Sequence, residues 1–341
     1  MDLNTVFDPS VIVFEDTWTG SLHPGVTRVV NLWDLKVGNE AEDDIPFVEN
    51  QNYHDIKRII SNYRSLWVGG PAGSGKSRPI KEASLSLGLG FYRINMNGHT
   101  TDEGFVGAPR IKSDDESKQP IMYWMTGMLE KAMTHGLDED GSVIGPPAVF
   151  LIDEFAAAPP ETHFVLQRVM ETEKTLVIDS DGGRMVKGHP LFTVVAADNT
   201  IGTGDILGGY SGVNAVNFAT RDRFDYLMNV DYDYPTEKKI LLNLLTGGTG
   251  RVSPGTNDLI DKMQDITREI RNAANDGAIA FPMSIRRLIS WARGIPLFGD
   301  PGKAFIKSVG NYLEDDQRNS VNEMFQRKFG CTPDNWKNVK K

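Results

Sequence analysis

The segment Gly70-Pro71-Ala72-Gly73-Ser74-Gly75-Lys76-Ser77 constrains the fold of this chain more than any other stretch of its sequence. Its spacing is G-x-x-x-x-G-K-[ST]. The glycines let the backbone curl into a concave nest of N–H donors, and the helix that follows turns its positive end toward the same point. A short apolar run, Leu66–Val68, precedes it, and the helix-forming stretch Pro79–Leu87 follows. Strand, loop and helix in that order are the frame in which such a nest holds phosphate. Lys76 would reach the β- and γ-phosphates, and the Ser77 hydroxyl would be offered to Mg²⁺. An α/β domain is therefore expected around this loop.

The rest of the chain fits that frame. Short apolar runs at Ser65–Val68, Phe91–Asn95, Val149–Asp153, Phe192–Ala197 and Tyr226–Val230 read as strands of a parallel sheet buried on both faces. Helical stretches such as Trp124–His135 and Glu161–Thr172 lie between them, which predicts a layered α/β domain. After Tyr234-Pro235 the strand signals stop. Thr236–Leu245, Asn257–Asn275, Ser284–Arg293, Lys303–Leu313 and Gln317–Phe329 then follow a helical period. The expected organisation is an N-terminal extension over 1–44, closed by the acidic run Asn39–Asp44, a nucleotide-binding domain over 45–235, and a helical domain over 236–341.

Composition narrows the class. With 36 Lys and Arg against 46 Asp and Glu, the net charge is −10, which argues against bulk binding to nucleic acid or anionic membrane and leaves only a local basic channel open. Cys331 is the single cysteine and has no disulfide partner within the chain. The opening MDLNTVFDPS lacks the basic-then-apolar pattern of a signal peptide, and no apolar run approaches the roughly 18 residues that span a bilayer. A cytoplasmic protein is expected. His23, His54, His99, His135, His163 and His189 show no metal-ligand spacing. Trp124, Met125 and Met128 read as the core face of a helix.

Further elements carry candidate chemistry. Ala148–Ile152 is an apolar strand ending in Asp153 and Glu154. Asp153 would hold the Mg²⁺ hydration shell, and Glu154 would polarise a water for in-line attack. The added Glu154 argues for turnover rather than a non-hydrolysing nucleotide-gated scaffold. Asn199, after the run Phe192–Asp198, would orient that water or simply make a turn. In Ala219–Asp225 an arginine, Arg221 or Arg223, would aim a guanidinium at a γ-phosphate, where a neighbouring subunit can supply it, or sit in a solvated ion pair. In Met283-Ser284-Ile285-Arg286-Arg287-Leu288 an arginine at the start of a helix would fold over nucleotide as a lid contact or belong to a basic helix face.

These elements, in this order and followed by a helical domain, resemble the AAA+ ATPases, more finely the MoxR branch and its CobS-like members. The resemblance rests also on Arg93–His99, Phe105-Val106-Gly107, Phe164–Glu171, Ala196–Tyr210, Asp222-Arg223-Phe224 and Met283–Ala292, and it runs from about Ile45 to Phe329. It implies five parallel strands flanked by helices, a helical lid, and a ring of six subunits with ATP and Mg²⁺ between neighbours. It implies Walker A at Gly70–Ser77, Walker B at Asp153 and Glu154, sensor 1 at Asn199, the arginine finger at Arg223 with Arg221 second to it, and sensor 2 at Arg286. Asn95 would couple substrate contact to Glu154. The insertions Gly107–Tyr123, interrupting the helix after the second strand, and Thr175–His189, a hairpin, would project toward a pore. The implied partner carries a von Willebrand A-like domain, and the motor would remodel or activate it. A cobaltochelatase subunit driving cobalt into a corrin ring is an alternative, and a nucleic-acid motor is another. Two positions depart from the pattern: Ile285 stands where proline is usual, and Asp198 stands where a small residue is commoner.

Overall fold

A computed structural model describes residues 45–113, 119–200, 215–246, 254–280 and 282–338. The expected N-terminal extension and most of Ala196–Tyr210 lie outside the described residues. The chain divides into two compact units. One contains Asn52–Gly69 and Ser77–Asn229, the other Ile45–Gln51, Gly70–Lys76 and Val230–Lys341.

The first unit is built on α1 (Gln51–Ser61), β1 (Leu66–Gly69), α2 (Ser77–Ser86), β2 (Gly90–Asn95), α3 (Asp102–Phe105), β3 (Gly107–Ser113), β4 (Pro120–Thr126), α4 (Met128–Met133) and β5 (Ala148–Asp153). It continues through α5 (Pro160–Met170), β6 (Thr175–Ile178), β7 (Arg184–Lys187), β8 (Thr193–Asp198), α6 (Phe218–Arg221) and β9 (Tyr226–Asn229). Among the described residues the central sheet has five parallel strands in the order β2-β5-β8-β1-β9. Every residue of β1, β5 and β8 is buried, as expected for strands covered on both faces. Helices α2 and α4 pack on β2 and β5. The edge differs from the expected double burial: the adjacent residues Tyr226 and Leu227 of β9 are both exposed, so neither face of this edge strand is fully covered there.

The chain passes from β1 to the far edge at β2, returns through β5 and β8, and crosses to the other side of β1 for β9. Such a reversal of direction next to β1 opens a crevice outside the carboxyl ends of the strands, where ligands of open α/β sheets bind. In that row Asn95 is in register with Asp153, Asp153 with Ala197, and Gly69 with Asp198.

Two connections carry hairpins that form separate sheets. β6 and β7 pair antiparallel across Asp179–Gly183, as the Asp-Gly-Gly signal implies. The other insertion corrects the sequence reading. The stretch expected as helix from Trp124 is strand to Thr126, and β4 pairs with β3 from Ser113↔Pro120 to Gly107↔Thr126. Helix begins only at Met128 and ends at Met133. Trp124 is partly buried against the core, but Met125 and Met128 are exposed, so these three residues do not form a helical core face.

The second unit holds α7 (Tyr234–Leu245), α8 (Pro254–Asn275), α9 (Ile285–Phe298), α10 (Pro301–Ser308) and α11 (Asp315–Phe329). Ile260, Met263, Ile266 and Ile270 recur on one face of α8 and enter a core with Trp291, Phe305 and Phe325. The helix expected over Lys303–Leu313 stops at Ser308 and gives way to a tighter turn, Gly310–Tyr312. Among the described residues no helix is long and apolar enough to cross a membrane.

One half-buried histidine gives the first unit an acid weakness. His135 is bonded to the Tyr92 hydroxyl at 3.0 Å, and burial, with His189 adding repulsion, lowers its pKa from 6.5 to about 4. The folded chain holds the ring neutral, whereas the unfolded chain protonates it below about pH 6.5. Stability is therefore lost as pH falls from about 6.5 toward 4. Between pH 7 and pH 5 the loss from this group is expected to be about 2 kcal/mol. Urea midpoints at the two pH values should differ less in His135→Gln than in the parent; an equal drop would remove His135 as the cause.

Candidate functional site

The first unit gathers one group of polar side chains at the carboxyl ends of its strands. Ser77, the first residue of α2, donates its hydroxyl to Asp153 Oδ2 at 2.7 Å. Asp153 ends β5, is buried, and also accepts from Arg93 Nη2 at 2.6 Å on the same oxygen. Its other oxygen accepts the Glu154 N–H at 3.2 Å. Two motifs separated by 76 residues thus meet in one hydrogen bond.

Glu154 follows in a left-handed backbone, φ 55° and ψ 42°, with its side chain exposed. An L-residue in that region carries roughly 1–2 kcal/mol of strain, so its surroundings must hold it there. The Asp198 carboxylate at the end of β8 is buried and accepts the Ala156 N–H, tying the turn after Glu154 to the end of β8. The same carboxylate accepts the N–H groups of Asn199 and Thr200. His163 of α5 stacks on Phe155 at 4.4 Å between centroids and bonds to its carbonyl at 3.0 Å. Burial lowers the His163 pKa, which favours the neutral ring in this packing. Phe155, Trp67 and Phe224 make mutual edge contacts with centroids 5.0 to 5.7 Å apart. Phe155 follows Glu154 in sequence, Trp67 lies within β1, and Phe224 follows Arg223.

Arg223 donates Nη1 to the Ala219 carbonyl at 2.6 Å and lies 3.8 Å from Glu171. Arg221 is set deeper; its Nε is buried and meets no partner among the described residues. Asn95, in register with Asp153, is exposed at the end of β2. Asn199 is half-buried.

The second unit holds the glycine loop itself. Lys76 is buried and turns back on the loop, donating Nζ to the carbonyls of Gly70 at 2.8 Å and Pro71 at 2.9 Å. Ser74 N donates to the Pro71 carbonyl at 3.2 Å and closes a turn. The Tyr232 hydroxyl donates to the Ala72 carbonyl at 3.0 Å, and Ile285 N donates to the Gly73 carbonyl at 3.3 Å. Ser284 caps α9, which places Arg286 in its first turn, exposed. Arg287 lies over the Tyr312 ring at 4.5 Å.

Sequence reasoning assigned no role to Arg93, Tyr232 or Arg271. Arg93 lies two residues before Asn95, on the same face of β2, and that alternation was a usable signal. Tyr232 and Arg271 act through contacts distant in sequence, for which the chain offers no local pattern.

Comparison with known proteins places the chain in a family. A family model described as an AAA domain of the dynein-related subfamily matches residues 65–224. The aerobic cobaltochelatase subunit CobS of a Sinorhizobium species is 30% identical over 272 residues, covering 80% of this chain and 77% of that protein. An uncharacterised protein of Staphylococcus haemolyticus is 27% identical over 266 residues, covering 78% of this chain and 90% of its own. Among solved structures, NtrX from Brucella abortus in complex with ADP aligns with a TM-score of 0.49 at 15% identity, over 88% of this chain and 65% of that one. The five-stranded parallel sheet flanked by helices, with a helical region after it, is an α/β AAA+ fold. The chain belongs to the AAA+ ATPases, as a CobS-like member. Nucleotide binding and ATP hydrolysis are the chemistry of that family.

Proposed function

We propose that the chain is a Mg²⁺-dependent, ring-forming ATP motor that remodels or activates a partner protein. The observation that carries this reading is the 2.7 Å hydrogen bond between Ser77 and Asp153, with Glu154 held next to them. A hydroxyl and a carboxylate are hard oxygen donors. Two of them suit an ion that keeps several waters and takes its remaining ligands from phosphates, as Mg²⁺ does. Ser77 and Asp153 would hold that ion, which supplies charge neutralisation at the β- and γ-phosphates.

The loop Gly70, Pro71, Ala72, Gly73, Ser74 and Gly75 would turn its N–H groups to the phosphates. Lys76 would exchange the Gly70 and Pro71 carbonyls for phosphate oxygens. Glu154 would accept hydrogen bonding from the attacking water and polarise it, with Asn199 orienting it. Arg223 of a neighbouring subunit would stabilise charge on the γ-phosphate; its present partners, a backbone carbonyl and an ion-pair contact at 3.8 Å, are weak enough to release it. Arg286 is the better candidate for sensor 2 than Arg287, which is occupied by Tyr312. A hexameric ring and a von Willebrand A-like partner complete the reading. A second reading, service as the ATPase subunit of a cobalt chelatase, is favoured by the kinship to CobS.

The test is ATP hydrolysis per subunit across a protein dilution series. The rate is expected to rise with concentration to a plateau, and Arg223→Ala to lower the plateau by about 10³-fold while ATP still binds. A rate independent of concentration, with Arg223→Ala at parent activity, would rule out a shared site.

A further inference from the structure

Arg271 of α8 is a buried, multiply bonded side chain of the helical unit, far in sequence from the glycine loop. It is only 2% exposed, as is its partner Glu237. Its two terminal nitrogens make a forked pair of bonds to the Glu237 carboxylate at 3.0 and 2.8 Å, and its Nε donates to the Met283 carbonyl at 2.8 Å. Its flat face lies 3.5 Å from the centroid of the Tyr232 ring. A planar guanidinium used on its edge and its face in this way fixes the orientation of everything it touches. Breaking such a buried pair by removing one charge is costly, so the arrangement is not a loose surface contact.

Each of the two groups that Arg271 orients ends on the glycine loop. Tyr232, held by the stack, donates its hydroxyl to the Ala72 carbonyl at 3.0 Å. Met283, held by Nε, leads into Ser284 and Ile285, and Ile285 N donates to the Gly73 carbonyl at 3.3 Å. Ser284 presses so closely on the loop that a Cβ on Gly73 would fall 2.4 Å from its own Cβ. Two consecutive loop carbonyls are therefore held from outside by two arms of one buried side chain.

The peptide plane converts this grip into chemistry. In a trans peptide the carbonyl of one residue and the N–H of the next point in opposite directions. Drawing the Ala72 carbonyl toward Tyr232 turns the Gly73 N–H away from Tyr232. Drawing the Gly73 carbonyl toward Ile285 likewise sets the Ser74 N–H, which here closes on Pro71. An anion-binding nest depends on those N–H directions.

We propose that Arg271, acting through Tyr232 and Met283, is a positioning residue that presets the Ala72–Gly73 peptide for phosphate and carries the nucleotide state of the loop into helices α8 and α9. The proposal rests on the nucleotide-binding reading of Gly70–Ser77 and extends it to Arg271 and Tyr232, which lie outside every motif. Arg271 does not touch the reacting atoms in this scheme. Its effect belongs on nucleotide affinity rather than on the chemical step.

The experiment uses the full chain with Mg²⁺ and the fluorescent analogue mant-ADP, beside steady-state ATP hydrolysis and thermal unfolding. Tyr232→Phe deletes one hydroxyl and keeps the stacked ring. It is expected to raise the mant-ADP Kd and the KM for ATP by about 5–10-fold, the worth of one hydrogen bond, with kcat within twofold of the parent and Tm within about 2 °C. Arg271→Lys keeps the charge and loses the fork. It should raise the Kd at least as far, and the double variant should be no weaker than Arg271→Lys alone, because both changes cut one path. Hydrogen exchange should show mant-ADP protecting the Ile285 amide in the parent and much less in Arg271→Lys. A Kd for Tyr232→Phe within twofold of the parent would overturn the proposal, as would independent, multiplying effects in the double variant. So would a fall in Tm with unchanged affinity, which marks a purely structural pair. Because the main readout is binding, a parent that binds mant-ADP but does not hydrolyse ATP would remove the hydrolytic reading and leave this one standing. A parent that binds no mant-ADP would overturn both.

Discussion

Glu154→Gln is expected to lower kcat for ATP hydrolysis by about 10²–10⁴-fold, the range over which a positioned general base contributes, while Mg²⁺-ADP affinity stays within a few-fold of the parent. The substitution keeps the volume and the backbone requirement of the residue and removes only the carboxylate. The left-handed turn at φ 55° is held by its neighbours, through the Asp198 bond to Ala156 N and the stacking of Phe155 on His163, and not by the Glu154 side chain, which is exposed. The variant should therefore fold like the parent, with Tm unchanged to within about 2 °C. Single-turnover hydrolysis beside mant-ADP titration separates chemistry from binding. A kcat within threefold of the parent would mean that another group handles the attacking water.

Gly70→Ala is expected to have the larger effect on the protein as a whole. Gly70 follows β1 directly, with φ at +152°, and a Cβ there would fall 1.9 Å from the Val230 carbonyl oxygen. Neither the backbone angle nor the contact can be relieved by a rotamer change, since the obstacle is main chain. A destabilisation of at least about 2–3 kcal/mol is expected, with mant-ADP binding lost at concentrations that saturate the parent. Gly75→Ala is the control. Its φ is +87°, but nothing lies within 4 Å of the added Cβ, so strain alone operates, costing about 1–2 kcal/mol. Urea unfolding of the two variants should rank them in that order. Equal stability would mean that the chain yields at Val230 without cost.

The central sheet was legible because its inner strands are buried on both faces. Val149–Asp153 and Phe192–Ala197 read as uninterrupted apolar runs, and their observed bounds, Ala148–Asp153 and Thr193–Asp198, lie within a residue of the expected ones. Ser77 and Asp153 were legible as motifs, and the sheet brings them to one point. The β3–β4 hairpin was not legible. Pro120-Ile121-Met122-Tyr123-Trp124-Met125-Thr126 is apolar without alternation, and Met122 is 74% exposed, so burial gives no period to read. Arg93 escaped notice because a basic residue on an edge strand is ordinarily solvated, whereas this one lies 2.6 Å from the Asp153 carboxylate. Asp198 appeared as a departure from the family pattern, and its structural task, pinning Ala156 N, became visible only with β5 and β8 in register. Arg271 belongs to a network whose members are scattered from Tyr232 to Met283 and share no spacing rule.

The two hairpins have a consequence for how such a protein diversifies. Each is a self-paired two-stranded sheet inserted into a connection of the central one, and neither lends a strand to the five that carry Asp153 and Asp198. Natural selection can therefore rewrite Ile111, Met122 or Met185, all more than 70% exposed, without disturbing the register of the strand ends. The parts of the chain free to acquire new specificities are separable from those that must stay constant.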